Sequence, residues 1–471
     1  MKTLLRVILT WVSVGLVAAD KSEKPPNIVI IFTDDQAYGD VGVYGSPNLD
    51  TPRLDRMAAE GLRFTDFYVT TSVCSASRAS LLTGRYPDLN GTPGVYFPGA
   101  RGLDTAETTM AEMLRESGFA TALIGKWHLG DLPGSLPTHH GFDQYWGVPY
   151  SNDMYIGPTM TFASDVVLLE DYDLAQAKAD REFVGNHIQD RAAIRERSIR
   201  DLVPLLRNEE IIEYPADQAT LTRRTFNEAI TFIDQATKHQ QPFFLFITPS
   251  MPHIPLFASA DFEGKSRGGL FGDTIEEIDF NVGRLLDHLD ETGLDEETLV
   301  VFTTDNGPWL GMGDHAGTAG PFRDGKFSTY EGGIRVPAIM RWPGKIPAGA
   351  VSHDPASTID LLPTAAQLTG TKPPAVELDG IDLSPLLRDP SVSLDREPLF
   401  FYRNGKPVAV RQGYWKYFPN GGGRRSTESD APELYYLATD LSESRNLATK
   451  EPDRVRQMQT LIAAQRARLT P

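Results

Sequence analysis

Asn27-Ile28-Val29-Ile30-Ile31-Phe32-Thr33-Asp34-Asp35 is the stretch on which the fold class turns. Its centre is an unbroken β-branched run with no polar residue alternating through it. Such a strand suits a position covered on both faces, as in a parallel sheet. The run ends abruptly in two carboxylates, and in open parallel sheets ligands bind beyond the carboxyl ends of the strands. The same grammar repeats along the chain. A helix is expected from Thr51 as N-cap, with Pro52 in its first turn and Gly61 as its stop. Thr109-Met110-Ala111-Glu112 is a capping-box pattern for a helix that stops at Gly118. Residues 119–124 make the next strand, running into Gly125-Lys126-Trp127-His128.

Residues 219–238 and 273–291 carry apolar side chains spaced for one helical face, and residues 243–248 and 299–304 read as buried strands. The second of these strands ends in Asp305-Asn306-Gly307. Helices alternating with short apolar strands imply an α/β fold, a large mixed, mainly parallel sheet sandwiched by helices. After Pro363 the texture changes. Short strands are expected at 399–402, 408–411, 414–418 and 434–437, with a terminal helix at 453–468. We therefore divide the chain into a catalytic α/β domain, residues 20–370, and a smaller C-terminal α+β subdomain, residues 371–471, carrying a short antiparallel sheet.

Residues 1–19 read as a signal peptide. Lys2 and Arg6 precede an apolar stretch too short to span a bilayer, and Val17-Ala18-Ala19 offers a small-residue cleavage site. A periplasmic or secreted protein is expected, or a lysosome-like one in a eukaryote, with no membrane span. The 471 residues carry 45 Lys and Arg against 63 Asp and Glu, a net charge of −18 that argues against nucleic acid as a partner. Any anionic substrate has to be captured by cations concentrated locally.

Four polar clusters follow four expected strands: Asp34-Asp35, Lys126 with His128, His253 between Pro252 and Pro255, and Asp305-Asn306. Taken singly, each reads as a turn, a cap or a solvated edge. If the sheet forms, they converge. Three carboxylates and an amide make an all-oxygen site suited to Ca²⁺ or Mg²⁺ rather than Zn²⁺. Cys74 is the one cysteine of an exported chain, so no internal disulfide is available. It heads Cys74-Ser75-Ala76-Ser77-Arg78, followed by Leu82-Thr83-Gly84-Arg85.

That stretch resembles the signature of the formylglycine-dependent sulfatases of the alkaline phosphatase superfamily, Cys-x-Pro/Ala-Ser-Arg followed by Leu-Thr-Gly-Arg. Ala76 stands where Pro is commoner, which bears on the maturation system. Gly141-Phe142-Asp143, Pro149-Tyr150-Ser151 and the run from Gly325 to Gly333 resemble most the arylsulfatase A and N-acetylgalactosamine-6-sulfatase branch. The resemblance implies that Asp34, Asp35, Asp305 and Asn306, with modified Cys74, hold one divalent cation, Ca²⁺ with Mg²⁺ as the alternative. It implies catalytic roles for Cys74, Arg78, Lys126, His128, His253 and Lys326, and a substrate contact at Ser151. It also implies a formylglycine-generating or other maturing enzyme as partner, and a sulfated sugar or aryl sulfate as substrate. The rivals are a phosphate or phosphonate ester hydrolase of the same superfamily and a catalytically silent carbohydrate-binding relative.

Three further features are weighed. Arg191, Arg195, Arg197 and Arg200 are expected on a solvated helix face, given the interspersed acids. Asn90-Gly91-Thr92 is a glycosylation sequon where the host glycosylates, and Gly421-Gly422-Gly423-Arg424-Arg425 reads as a short flexible loop.

Overall fold

The computed structural model describes residues 24–468 apart from Glu170 and Glu428; the expected signal peptide lies outside the described residues. In chain order the strands of the main sheet are β1 (Asn27–Thr33), β2 (Leu62–Tyr68), β3 (Ala120–Gly125), β4 (Gln144–Gly147), β5 (Thr161–Leu168), β6 (Leu205–Arg207), β7 (Glu210–Tyr214), β8 (Phe243–Thr248), β9 (Thr298–Thr304), β10 (Arg335–Arg341), β11 (Ala350–Ser352) and β12 (Ala356–Ser357). They line up as β11-β2-β10-β9-β1-β8-β3-β4-β6-β7-β5, with β12 beside β2. The core strands β9, β1, β8, β3 and β4 are mutually parallel, whereas β10 runs antiparallel to both β9 and β2.

β1 is buried at every position because both of its faces are covered. Ile28, Ile30 and Phe32 enter one apolar core while Val29 and Ile31 enter the other. β8 divides in the same way, Phe244 and Phe246 against Phe243, Leu245 and Ile247. Each such side chain contributes about 1.5–3 kcal/mol when fully buried. The helices Gln218–Lys238 and Gly269–Thr292 cover one face through Phe226, Ile233, Ile278, Val282 and Leu285. The helices Cys74–Thr83, Met110–Glu116 and Leu361–Thr369 lie on the other.

The expected capping box forms: the Glu112 N–H donates to Thr109 Oγ1 at 3.1 Å and the Thr109 N–H to the Glu112 carboxylate at 2.8 Å. Thr51 is the N-cap residue as expected, but its side chain makes no capping bond. Its hydroxyl accepts from the Gly42 N–H, and the first amides of the helix Pro52–Ala59 donate instead to Asp279 from the facing helix. A tertiary carboxylate does the work of the local cap.

The C-terminal sheet is a four-stranded antiparallel meander of β13 (Leu399–Arg403), β14 (Lys406–Gln412), β15 (Trp415–Phe418) and β16 (Glu433–Tyr436), backed by the helix Pro452–Ala467 through Met458 and Ile462. Between the sheets lies a buried, charge-balanced cluster. Asp66, Glu331 and Glu443 meet Arg335, Arg411 and Lys416, with Lys416 Nζ 2.7 Å from Glu331 and 3.0 Å from Glu443. Apart from Glu331, which falls in the run from Gly325 to Gly333, nothing in the local sequence pattern marked these residues.

Candidate active site

The four strand ends named by the sequence are neighbours. β9, β1, β8 and β3 lie side by side, so Asp305-Asn306, Asp34-Asp35, His253 and Lys126–His128 emerge along one edge of the sheet. Cys74 joins them from the first turn of the helix Cys74–Thr83, all ten residues of which are buried. This helix ends at Gly84, whose φ of 67° is the left-handed conformation that glycine adopts without steric cost.

Cations and carboxylates interlock around Cys74. Arg78, one helical turn on, donates from Nε and Nη2 to Asp305 Oδ2 at 3.0 and 2.8 Å, and from Nη1 to the Lys126 carbonyl at 3.2 Å. The Lys126 ammonium is paired with Asp34. Lys326 Nζ donates to both oxygens of Asp35 at 2.6 and 2.8 Å. Asn306 Nδ2 donates to Asp35 Oδ1 at 2.7 Å, and the Asp35 N–H to Asp305 Oδ1 at 3.2 Å. Burial pushes the Asp34 carboxyl up, but Lys126, His253, Arg78 and Lys326 together hold it well below the usual range. Asp305, buried and facing Asp34, is pushed up to about 7. Burial opposes the charge on Lys326, yet Asp35 holds its ammonium far above the usual value.

Asp34 Oδ1 and Asn306 Oδ1 are buried acceptors with no donor among the described residues. One ligand atom from each of Asp34, Asp35 and His253 falls within 4.8 Å of the others. Orphaned oxygens beside crowded carboxylates are what a hard cation satisfies, so the donor set fits a divalent ion.

The two histidines differ. His128 sits at φ 64° and its Nε2 lies 3.0 Å from the Tyr96 carbonyl, to which it donates. That leaves Nδ1 as a buried lone pair without a donor. Burial, Lys126 and Arg78 lower the pKa of His128 well below its ordinary value, so the ring is neutral and basic at Nδ1. His253 is aligned by Nδ1 on the Ile254 carbonyl at 2.6 Å, with Ser151 Oγ 3.1 Å from the ring and Nε2 3.7 Å from Asp35. Burial and Lys326 lower its pKa. Cys74 is buried too, and that burial raises its thiol, so an unmodified sulfur there stays protonated. Asp35, His128 and Phe327 all have positive φ, at 63°, 64° and 73°, a backbone cost of about 1–3 kcal/mol each that clusters at functional sites.

All eleven residues singled out in the sequence are therefore adjacent or one contact apart. Sequence reasoning missed Asn152, whose Nδ2 donates to the Pro255 carbonyl at 2.8 Å and braces the His253 loop, and Tyr96, whose carbonyl orients His128. It also missed the aromatic wall of Trp309 and Phe327, whose ring centroids are 5.3 Å apart; the only available signal was their place after Asn306 and Lys326. Asn90 is buried, donating to the Arg85 carbonyl at 3.2 Å and accepting from the Thr92 N–H at 3.0 Å, so it is a turn residue rather than an open sequon. The arginine stretch is exposed at Arg191, Arg195, Arg197 and Arg200, as expected, although its side chains also make local contacts. Arg191 covers Phe97, Arg197 pairs with Asp180 and Arg200 with Asp153.

Comparison with known proteins bears directly on this constellation. The family model described as Sulfatase matches residues 26–371, and that described as N-sulphoglucosamine sulphohydrolase, C-terminal, matches residues 320–468. The chain is 40% identical to arylsulfatase A of Homo sapiens, covering 94% of this chain and 86% of that protein. It is 38% identical to N-acetylgalactosamine-6-sulfatase of Canis lupus familiaris, covering 87% and 74%. Among solved structures, the PsFucS1 sulfatase from Pseudoalteromonas sp. superposes with a TM-score of 0.79 at 28% identity, over 94% of this chain and 90% of that one.

Proposed function

The chain belongs to the sulfatase family, and from that premise we propose that it hydrolyses sulfate monoesters of a sulfated carbohydrate with a nucleophile derived from Cys74. The observation that carries the reading is the position of Cys74, at the head of a buried helix amid Lys126, Lys326, Arg78 and three carboxylates. An inert core cysteine needs no such surroundings.

In this family the nucleophile is the hydrate of formylglycine, formed by oxidation of the motif cysteine. One hydroxyl attacks sulfur, the bond from sulfur to the alcohol oxygen breaks, and that oxygen takes a proton. The second hydroxyl would then lose its proton as the carbonyl re-forms and sulfate departs, and addition of one water to that carbonyl would restore the hydrate, accounting for the water of hydrolysis. Asp34, Asp35, Asp305 and Asn306 would hold a divalent cation, Ca²⁺ by preference and Mg²⁺ as the alternative, which when bound would supply positive charge at the nucleophile and the sulfate. Lys126 and Lys326 add charge from fixed positions, and Arg78 keeps Asp305 oriented. His128, neutral with a free Nδ1, takes the proton in the elimination step. Lys326 with His253 donates to the leaving oxygen, the ammonium of Lys326 being the resident proton because burial keeps His253 neutral. Ser151, through the His253 ring, positions that pair.

Export, maturation by a formylglycine-generating or related enzyme, and the division into domains at residue 371 belong to the same proposal. Among the described residues no helix is long and apolar enough to cross a membrane. The test is mass spectrometry of the peptide holding residue 74 from natively expressed protein, with hydrazide capture of an aldehyde. Parallel assays of 4-nitrophenyl sulfate and 4-nitrophenyl phosphate accompany it. An aldehyde and dominant sulfatase turnover are expected. A plain thiol in the active protein, or dominant phosphatase turnover, overturns the reading.

A further inference from the structure

The triglycine loop that reads as flexible in the sequence is pinned. The Gly422 carbonyl accepts from the Thr329 N–H at 2.9 Å and from the hydroxyls of Ser328 and Thr329 at 3.1 Å each, two to three residues beyond Lys326. On one side of the loop, the Arg424 guanidinium lies 4.5 Å over the Phe327 ring, and Phe327 packs edge-on against Trp309, the neighbour of His253. The other side of the loop walls a groove of about 780 Å³. The facing wall is the turn between β13 and β14. A Cβ at its Gly405 would sit 3.0 Å from Pro93, and Pro93 lies in the same loop as Tyr96, which holds His128. Both walls thus rest on segments that reach the catalytic residues.

The groove has one sign of charge. Its ionisable lining, among the described residues, is Arg403, Lys406 and Arg466, with no carboxylate. Arg403 donates to the carbonyls of Gly423 and Ser426, and Arg466 to that of Pro407, so their hydrogen bonds leave the charge uncompensated. Asp430 is the carboxylate that acts on Arg403, from outside the lining. Lys406 is exposed. Three cations gathered in one concavity of a chain with net charge −18 make the groove locally positive, a field that attracts an anion.

We propose that this groove is a second binding site, which holds a sulfated segment of the glycan chain while another sugar of the same chain occupies the catalytic pocket. The enzyme then favours sulfated oligosaccharides over monosaccharide sulfates. The identity of the ligand rests on the sulfatase reading above; the existence of an anion-binding groove does not.

The test uses the matured full-length enzyme and two fluorescein-labelled probes, a chondroitin-6-sulfate hexasaccharide and a carrageenan hexasaccharide. Kd is measured by polarisation at low and physiological salt, for wild type, Lys406→Glu, Arg466→Glu, the double variant and Lys406→Arg. Wild type should bind at least one probe with salt-sensitive affinity. The double variant should weaken it about tenfold or more, and Lys406→Arg should retain it. Turnover of 4-nitrophenyl sulfate, which cannot reach the groove, should stay within about twofold in every variant, as expected for charges outside the pocket. The proposal is overturned if neither probe binds wild type, if charge reversal changes Kd by less than about twofold, or if binding and 4-nitrophenyl sulfate turnover fall together. A wild type that binds the probes but cleaves no sulfate ester would refute the enzymatic reading and leave the groove standing.

Discussion

Arg78→Met removes one charge from a site in which three carboxylates, Asp34, Asp35 and Asp305, face three cations, Arg78, Lys126 and Lys326. Arg78 is 1% exposed and touches Asp305 through two nitrogens, the nearer at 2.8 Å. Coulomb's law at an effective dielectric of about 20 gives roughly 6 kcal/mol for unit charges at that separation. Desolvation offsets part of this, and breaking a buried pair from one side costs about 3–5 kcal/mol in practice. If the strain falls on the orientation of Asp305, the same energy appears in the barrier, roughly 10²- to 5 × 10³-fold in kcat/KM. Arg78→Lys keeps the charge but loses the two-nitrogen grip and should fall between, at about tenfold. Arg78 lies inside the motif that matures Cys74, so kcat/KM on 4-nitrophenyl sulfate has to be normalised to the formylglycine content of each preparation by mass spectrometry. A normalised rate within about threefold of wild type in Arg78→Met would refute the reasoning, because the carboxylate would then not depend on its partner.

His128→Ala should complete the attack on sulfur and stall before sulfate leaves, so intact-protein mass should reveal a sulfate adduct on residue 74; full turnover with no adduct removes His128 as the base. Stripping the protein with EDTA should abolish activity and lower the melting temperature, and titrating Ca²⁺ or Mg²⁺ back should restore both, the ion that acts at the lower concentration being the resident one. Lys416→Met leaves Glu331 and Glu443 without their shared ammonium and should cost about 3–5 kcal/mol in urea unfolding; a loss below about 1 kcal/mol shows that the cluster is not coupled. Burial raises the pKa of Asp279 to about 7, above its value in the unfolded chain, so its contribution to stability is complete below the unfolded pKa and is lost as pH rises through 7. Asp279→Asn should therefore flatten the fall in stability between pH 5 and 8 by on the order of 2 kcal/mol, and identical profiles would contradict this.

What the linear chain encodes is local. The both-face burial of β1, β8 and β9, the capping box at Thr109, the four short strands after residue 398 and the polar residues at each strand end all follow from patterns a few residues long, which composition and periodicity expose. The motif around Cys74 is local as well, and it named the chemistry. Position within the sheet is another matter. That β9, β1, β8 and β3 are neighbours, so that Asp305 meets Arg78, Lys126 meets Asp34 and Lys326 meets Asp35, depends on pairings between residues 92 to 291 positions apart. The helix at Pro52 illustrates the same divide: the sequence placed Thr51 correctly at its N-cap, but the carboxylate that accepts from its first amides is Asp279, brought by the fold. The buried six-residue charge cluster, the lone pair on His128 and the cationic groove exist only once two sheets and several loops are packed together. Short-range backbone preferences are written residue by residue, but the field around a buried charge is a sum over everything folded next to it.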